Sequence, residues 1–235
     1  CPNCQKSFEL NQAGYADISK QVRDHQFDEE ITQRLKLADQ ETSVLIRGLS
    51  GTGKELTARA IHRTSSRKQK PLITVNMGAI PANLIAAELF GVAKGAFTGA
   101  DRNRLGYFRR AHQGTLFLDE IGEATPEAQV QLLRVLETGE VFPVGQTTPI
   151  KVDVRLIAAT NRDLEKDMQD GDFREDLFYR INVVPLHLPP LKVRQGDVKV
   201  LVEFFLKRFG KAQHKQIKNI HPDALKILIE YPWPG

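Results

Sequence analysis

Short runs of β-branched and aliphatic residues alternate along this chain with longer amphipathic stretches. VLI (Val44 to Ile46), LITV (Leu72 to Val75), TLFL (Thr115 to Leu118) and VRLIAAT (Val154 to Thr160) have strand length and strand composition. Between them, apolar positions recur at helical spacing, which predicts helices at Glu55 to Arg63, Asn83 to Phe90, Pro126 to Glu137 and Arg174 to Arg180. Strands that alternate with helices predict an α/β fold, a mostly parallel sheet flanked by helices. After the break at Leu188-Pro-Pro-Leu191 the helical spacing returns, in Val198 to Phe209 and Ala224 to Ile229, and reads as the start of a small helical domain. Residues 1–39 are polar with one helical-looking piece, Asp28 to Leu37, and read as a linker. The expected division is therefore a linker at 1–39, an α/β unit at 40–188 and a helical unit at 189–235.

Composition adds bounds. The 235 residues suffice for one sizeable core with a small satellite, and 41% hydrophobic content is that of a globular protein. No run approaches the roughly 18 apolar residues of a membrane span, and the start lacks the layout of a signal peptide, so a cytoplasmic location without membrane association is expected. Lys+Arg of 33 against Asp+Glu of 29 gives a net charge of +4, with a modest basic cluster from His62 to Lys70. That allows direct nucleic-acid binding without demanding it. Cys1 and Cys4 resemble half of a zinc ribbon, but a structural site needs two further ligands, and no second cysteine pair exists. His25 lies in a charged stretch where a lone histidine is more often solvated.

The chemistry concentrates in three places. Gly48, Leu49, Ser50, Gly51, Thr52, Gly53 and Lys54 run directly from the first strand into a helix. Glycines let backbone N–H groups curl around phosphate oxygens, the helix N-terminus adds partial positive charge, and the Lys54 ammonium reaches the β- and γ-phosphates. The flanking strand and helix argue against a mere helix-capping turn. Glu55 stands where phosphate loops usually carry the Ser or Thr that binds magnesium, so Thr52 or water would have to compensate. Second, TLFL ends in Asp119 and Glu120: Asp119 at the strand tip suits magnesium, and Glu120 is then placed to polarise a water against the γ-phosphate. Alone, two acids at a strand end are commonly a solvated turn; beside Lys54 they fit hydrolysis. Third, Gly95, Ala96, Phe97, Thr98, Gly99 and Ala100 gather small residues around one aromatic and one hydroxyl. A glycine-flanked loop of this kind suits partner contact, or else forms a tight turn with Phe97 in the core, and composition leaves these two even.

GLSGTGKE, ELFGVAKGAFTGA, GTLFLDEIGEA, LLRVLE, RLIAATNRDL, FREDLFYRINVVPLHLPPL and YPWPG, in this order and spacing, resemble the central AAA+ domain of sigma-54-dependent activators, also called bacterial enhancer-binding proteins, over Ser43 to Gly235. The hexapeptide GAFTGA is the most specific of these motifs. The resemblance implies a P-loop AAA+ sheet with the beginning of a C-terminal helical lid, ATP and Mg2+ as cofactors, and a homo-oligomeric ring of six or seven subunits. It implies that the loop Gly95 to Ala100 engages sigma-54 RNA polymerase holoenzyme when ATP is bound. By resemblance, Asn76 is the switch asparagine that pairs with Glu120, Thr160 and Asn161 are sensor I, and Arg174 and Arg180 reach toward a neighbouring subunit's γ-phosphate. Two surface salt bridges are the plainer reading of that arginine pair.

Departures from the family pattern are Leu49 for Glu, Met77 for Cys, Val92-Ala93 for His-Glu, and Lys192-Val193-Arg194 for Arg-Glu-Arg; none removes a catalytic group. The family's sensor II arginine and its DNA-binding helix-turn-helix follow YPWPG, so contact with promoter or enhancer DNA is expected through a domain absent from this chain. The expected activity is ATP hydrolysis coupled to remodelling of the sigma-54 closed complex. The alternatives are a nucleotide-responsive module without turnover and a remodeller of another protein complex.

Overall fold

Five strands carry the fold: β1 (Val44–Arg47), β2 (Leu72–Asn76), β3 (Thr115–Asp119), β4 (Arg155–Thr160) and β5 (Val184–His187). The computed structural model describes residues 41–96, 101–212 and 219–233. Within them these strands form one parallel sheet in the order β2-β3-β4-β1-β5. The four strands expected from the apolar runs are present, each within a residue of its expected ends. β5 was not expected. Its Pro185 cannot donate to a ladder, which suits the edge that β5 occupies beside β1.

Among the described residues the helices longer than one turn are α1 (Lys54–Thr64), α2 (Ala82–Phe90), α3 (Pro126–Thr138), α4 (Leu164–Gln169), α5 (Glu175–Ile181), α6 (Gln195–Ala212) and α7 (Pro222–Glu230). Local chemistry sets their ends. Thr125 caps α3 by accepting from the Ala128 N–H, Pro126 takes the first helical position, and Gly139 closes the helix in the left-handed region. Arg174, expected inside a helix, is the residue before α5, in extended geometry. The acids Glu175 and Asp176 take the first turn, where the helix dipole favours negative charge.

Alternation along the strands divides the core between the two faces. Leu45, Leu116, Leu118, Leu156 and Ala158 pack with α2, α3 and α5, while Val44, Ile46, Phe117, Ile157 and Ala159 pack with Ala58 and Ile61 of α1. Every residue of β4 is buried, as a central parallel strand requires. On the α1 face, the His62 ring Nδ1 lies 3.0 Å from the Thr115 hydroxyl, tying helix to sheet inside the core. Burial pushes the His62 pKa down, because desolvation penalises the imidazolium. No described helix is long and apolar enough to cross a membrane. Cys1, Cys4, His25 and the piece from Asp28 to Leu37 lie outside the described residues.

Candidate active site

Parallel register brings the carboxyl ends of the strands to one edge. Asn76 is opposite Asp119, and Arg47 is opposite both Thr160 and His187. The loop from Gly48 to Gly53 rises from this edge between β1 and α1, and its Gly48 N–H donates to the Thr160 carbonyl at 3.2 Å. Gly51 and Gly53 have φ of 76° and 94°, left-handed values that a side chain would strain. Gly53 caps α1 without a side chain, and the first N–H that closes a helical bond is that of Thr57, to Gly53. The amides of Lys54, Glu55 and Leu56 are therefore free of helical partners, which makes an anion cradle. Lys54 is buried, and its ammonium donates to the Gly48 and Leu49 carbonyls at 3.0 and 3.1 Å, holding the charge inside the loop's curve.

Two side chains around the cradle, Thr52 in the loop and Glu55 in α1, have partners of their own. The Thr52 hydroxyl donates to the Leu49 carbonyl at 2.8 Å, so its proton is engaged within the loop while its oxygen keeps the lone pairs that a cation takes. Glu55 turns along the exposed face of α1 and binds Arg59 one turn on, at 2.7 Å. Only its backbone N–H joins the cradle. The loop is also gripped from the helical unit, where the Arg194 Nη2 donates to the Thr52 carbonyl at 3.2 Å.

Asp119, at the tip of β3, accepts from the Glu120 N–H at 3.0 Å. Glu120 follows with φ 57° and ψ 48°, a left-handed residue that is not glycine. Its carboxylate lies over Gly78, where a side chain would collide with Oε2. The Asn76 carboxamide oxygen borders the same point but accepts from the Ala79 N–H at 3.2 Å, capping the turn Met77–Ala79. Asn76 and Glu120 are thus neighbours, yet no hydrogen bond between them is among the contacts of the described residues. Thr160 is buried, its hydroxyl accepts from the Arg162 N–H at 3.0 Å, and Asn161 lines a cavity of about 460 Å³ with Arg47, Gly48 and His187. Among the described residues no group of three or more His, Cys, Asp or Glu is placed to hold a metal ion. A single carboxylate at Asp119 beside a phosphate cradle fits magnesium, which keeps its waters and arrives bound to phosphate oxygens.

The two arginines of FREDLFYR lie elsewhere. Arg174 grips Asp176 with two contacts of 3.0 and 2.6 Å, and that hydrogen-bonded guanidinium holds the Asp176 carboxyl below its ordinary range. The salt-bridge reading therefore describes Arg174 in a single subunit. Arg180 donates to the Leu136 carbonyl at 2.7 Å and borders a cavity with Ser43, Val154 and Val183, the residues that precede β1, β4 and β5. That is the amino end of the sheet, a strand length or about 13 Å from the phosphate loop at four residues of β1. Neither arginine meets its own subunit's cradle.

Of the hexapeptide, Gly95 and Ala96 are described; Phe97, Thr98, Gly99 and Ala100 lie outside the described residues. The segment leaves α2 through a two-residue strand, Gly91–Val92, and returns through Arg104–Leu105, the two pairing antiparallel. Gly95 has φ 82°, and the Lys94 N–H donates to the Asn103 side chain at 2.7 Å. This hairpin was missed from sequence, because two-residue strands carry no periodicity. Arg162 and Arg194 were missed as well, since a lone arginine in a motif gives no local sign of its partner.

The parallel sheet and its glycine-rich loop define a P-loop NTPase fold of the AAA+ class. The chain matches the family of the sigma-54 interaction domain over residues 17–187 and that of the AAA+ ATPase lid domain over 192–235. It belongs to the sigma-54 interaction domain family. It is 52% identical over 199 residues to the transcriptional regulatory protein ZraR of Escherichia coli K12, covering 85% of this chain and 45% of ZraR. The DNA-binding transcriptional regulator NtrC of Proteus hauseri is 51% identical over 200 residues, covering 85% and 42%. The crystal structure of NtrX from Brucella abortus in complex with ATP superposes with a TM-score of 0.81 at 39% identity, over 89% of this chain and 46% of that one. The chain spans less than half the length of these relatives.

Proposed function

We propose that this chain binds ATP with magnesium at the carboxyl edge of its sheet, hydrolyses it, and couples hydrolysis to remodelling of RNA polymerase holoenzyme carrying sigma-54. The observation that carries the reading is the meeting, at one edge, of the Lys54 cradle with Asp119 and Glu120. Free amides at the start of α1 bind the β-phosphate, Lys54 neutralises the β/γ oxygens, and Asp119 holds the magnesium that the phosphates bring. Glu120 polarises the attacking water. Asn76, which borders its carboxylate, and the pair Thr160 and Asn161 at the end of β4 report the nucleotide state, and the loop from Gly95 to Ala100 delivers that state to sigma-54. Arg174 and Arg180 act on a neighbour's nucleotide in a ring of six or seven copies; the place of Arg180 at the amino end of the sheet, away from its own cradle, supports this. Residues 40–188 form the nucleotide unit and 189–235 the lid, with promoter DNA held by other parts of the protein. ATP in the NtrX structure and the sigma-54 family match support the reading.

The test separates binding from chemistry. In the full chain, Lys54→Ala should weaken ATP binding, whereas Glu120→Gln should keep affinity and lose turnover. Equal binding with turnover at the parent rate in both variants would overturn the assignment.

A further inference from the structure

We propose that Arg162 is the positioning residue that aims the Glu120 carboxylate. A residue other than glycine persists in the left-handed region only where its surroundings fix it, and Glu120 is fixed from both sides. On the amino side the Asp119 carboxylate holds its N–H. On the carboxyl side lies a single turn, Ile121–Glu123, whose Glu123 N–H returns to the Glu120 carbonyl at 2.9 Å. Arg162 clamps that turn from outside: its Nη1 donates to the Gly122 carbonyl at 3.3 Å and meets the Glu123 carboxylate at 3.4 Å. The side chain lies flat across Gly122, where an added methyl would stand 2.8 Å from the Arg162 Cδ.

The clamp is itself anchored. Asp167 in α4 takes the other edge of the guanidinium at 2.8 and 3.0 Å, and the Arg162 N–H is held by Thr160. One planar fork thus joins the end of β4 to the turn that follows Glu120. A lysine could satisfy Asp167 or Gly122 but not both edges together. This inference rests on the reading of Glu120 as the residue that polarises water, and it assigns to a side chain that touches no phosphate the task of setting that carboxylate's direction.

The experiment measures kcat, ATP affinity and thermal stability in the full chain. Arg162→Ala should lower kcat by about 10- to 100-fold, the cost of misplacing a reacting group by an ångström, with ATP affinity within about threefold of the parent. Arg162→Lys should fall between, and Gly122→Ala, which keeps Arg162 but displaces it, should reproduce the selective loss of kcat. A parent-like kcat in Arg162→Ala, while Glu120→Gln is inactive, would overturn the inference and leave the hydrolytic site intact. Loss of kcat, affinity and stability together, with no recovery in Arg162→Lys, would make Arg162 a structural staple and overturn it too. Turnover retained in Glu120→Gln would instead refute the underlying reading.

Discussion

Gly106→Ala is a steric test of how the GAFTGA segment is seated. Gly106 has an ordinary extended backbone, φ −76° and ψ 167°, so alanine carries no conformational penalty there. Space is the constraint: the added methyl would meet the Gly91 nitrogen, the Phe90 carbonyl carbon and the Leu89 oxygen, the last at 2.5 Å. All three are main-chain atoms at the end of α2, so no side chain can rotate away. Ordinary contact begins at 3.4 Å, so the returning strand Arg104–Leu105 must move off α2 by about 1 Å. Overpacking of this kind costs about 1 to 3 kcal/mol. For a domain of this size that lowers Tm by roughly 4 to 8 °C at the middle of the range. No group of the phosphate cradle is displaced, so ATP affinity should stay within a few-fold of the parent, while binding to sigma-54 in the presence of a transition-state analogue of ATP should fall. Calorimetry, nucleotide titration and a sigma-54 pull-down read the three quantities. Unchanged Tm with full sigma-54 binding would refute the close packing; parallel loss of ATP binding would refute the separation of hairpin from cradle.

The remaining predictions address the ring, the loop and pH. Arg180→Ala and Lys54→Ala subunits, each nearly inactive alone, should regain some turnover when mixed, because hybrid interfaces pair an intact cradle with an intact arginine; no recovery in the ATPase assay would exclude action in trans. Thr98→Ala and Phe97→Ala should keep ATPase within a few-fold and lose sigma-54 binding if the loop acts as proposed, since neither removes a phosphate-contacting group and Phe97 is the one large apolar side chain of the hexapeptide. Simultaneous loss of both activities would place Phe97 in the core. Because the folded pKa of His62 lies below its unfolded value of about 6.5, the unfolded chain binds more protons between the two. Stability should therefore hold above pH about 6.5 and fall as pH drops from there toward the depressed folded value. Denaturant titrations of the parent and His62→Gln should show this dependence weakened in the variant; identical slopes would rule out His62 as its source.

What the sequence disclosed and what it hid follow a physical division. The strands β1, β3 and β4 announced themselves because a buried parallel strand is largely apolar, the edge strand β2 did so through its aliphatic and β-branched Leu72-Ile-Thr-Val75, and the phosphate loop did so because its geometry demands glycine at fixed spacing. β5 stayed hidden, since Val184-Pro-Leu-His is short, contains proline, and takes its place only by pairing with β1. Partners were the least legible. The side chain of Glu55, beside phosphate by adjacency, turns to Arg59 and leaves only its N–H in the cradle; Arg174 reads as helical and precedes the helix, bound to Asp176. Arg194 reaches Thr52 across 142 positions, and Arg162 reaches Gly122 across 40. Periodicity encodes which face of an element is buried, but it does not encode which distant carbonyl a guanidinium will choose.

The amino-end position of Arg180 has a consequence for how the protein responds to its own abundance. If Arg180 acts on a neighbour's nucleotide, as proposed above, a single subunit holds no complete reaction centre, and the catalytic unit is a junction between copies. At dilution well below the assembly threshold, specific activity per chain should fall toward zero rather than plateau, and it should rise steeply as the threshold is crossed. Expression level, or any upstream segment that hides one side of the junction, would then govern output as sharply as ATP does. Silence at low copy number would be a property of the sheet's polarity itself, requiring no separate inhibitor.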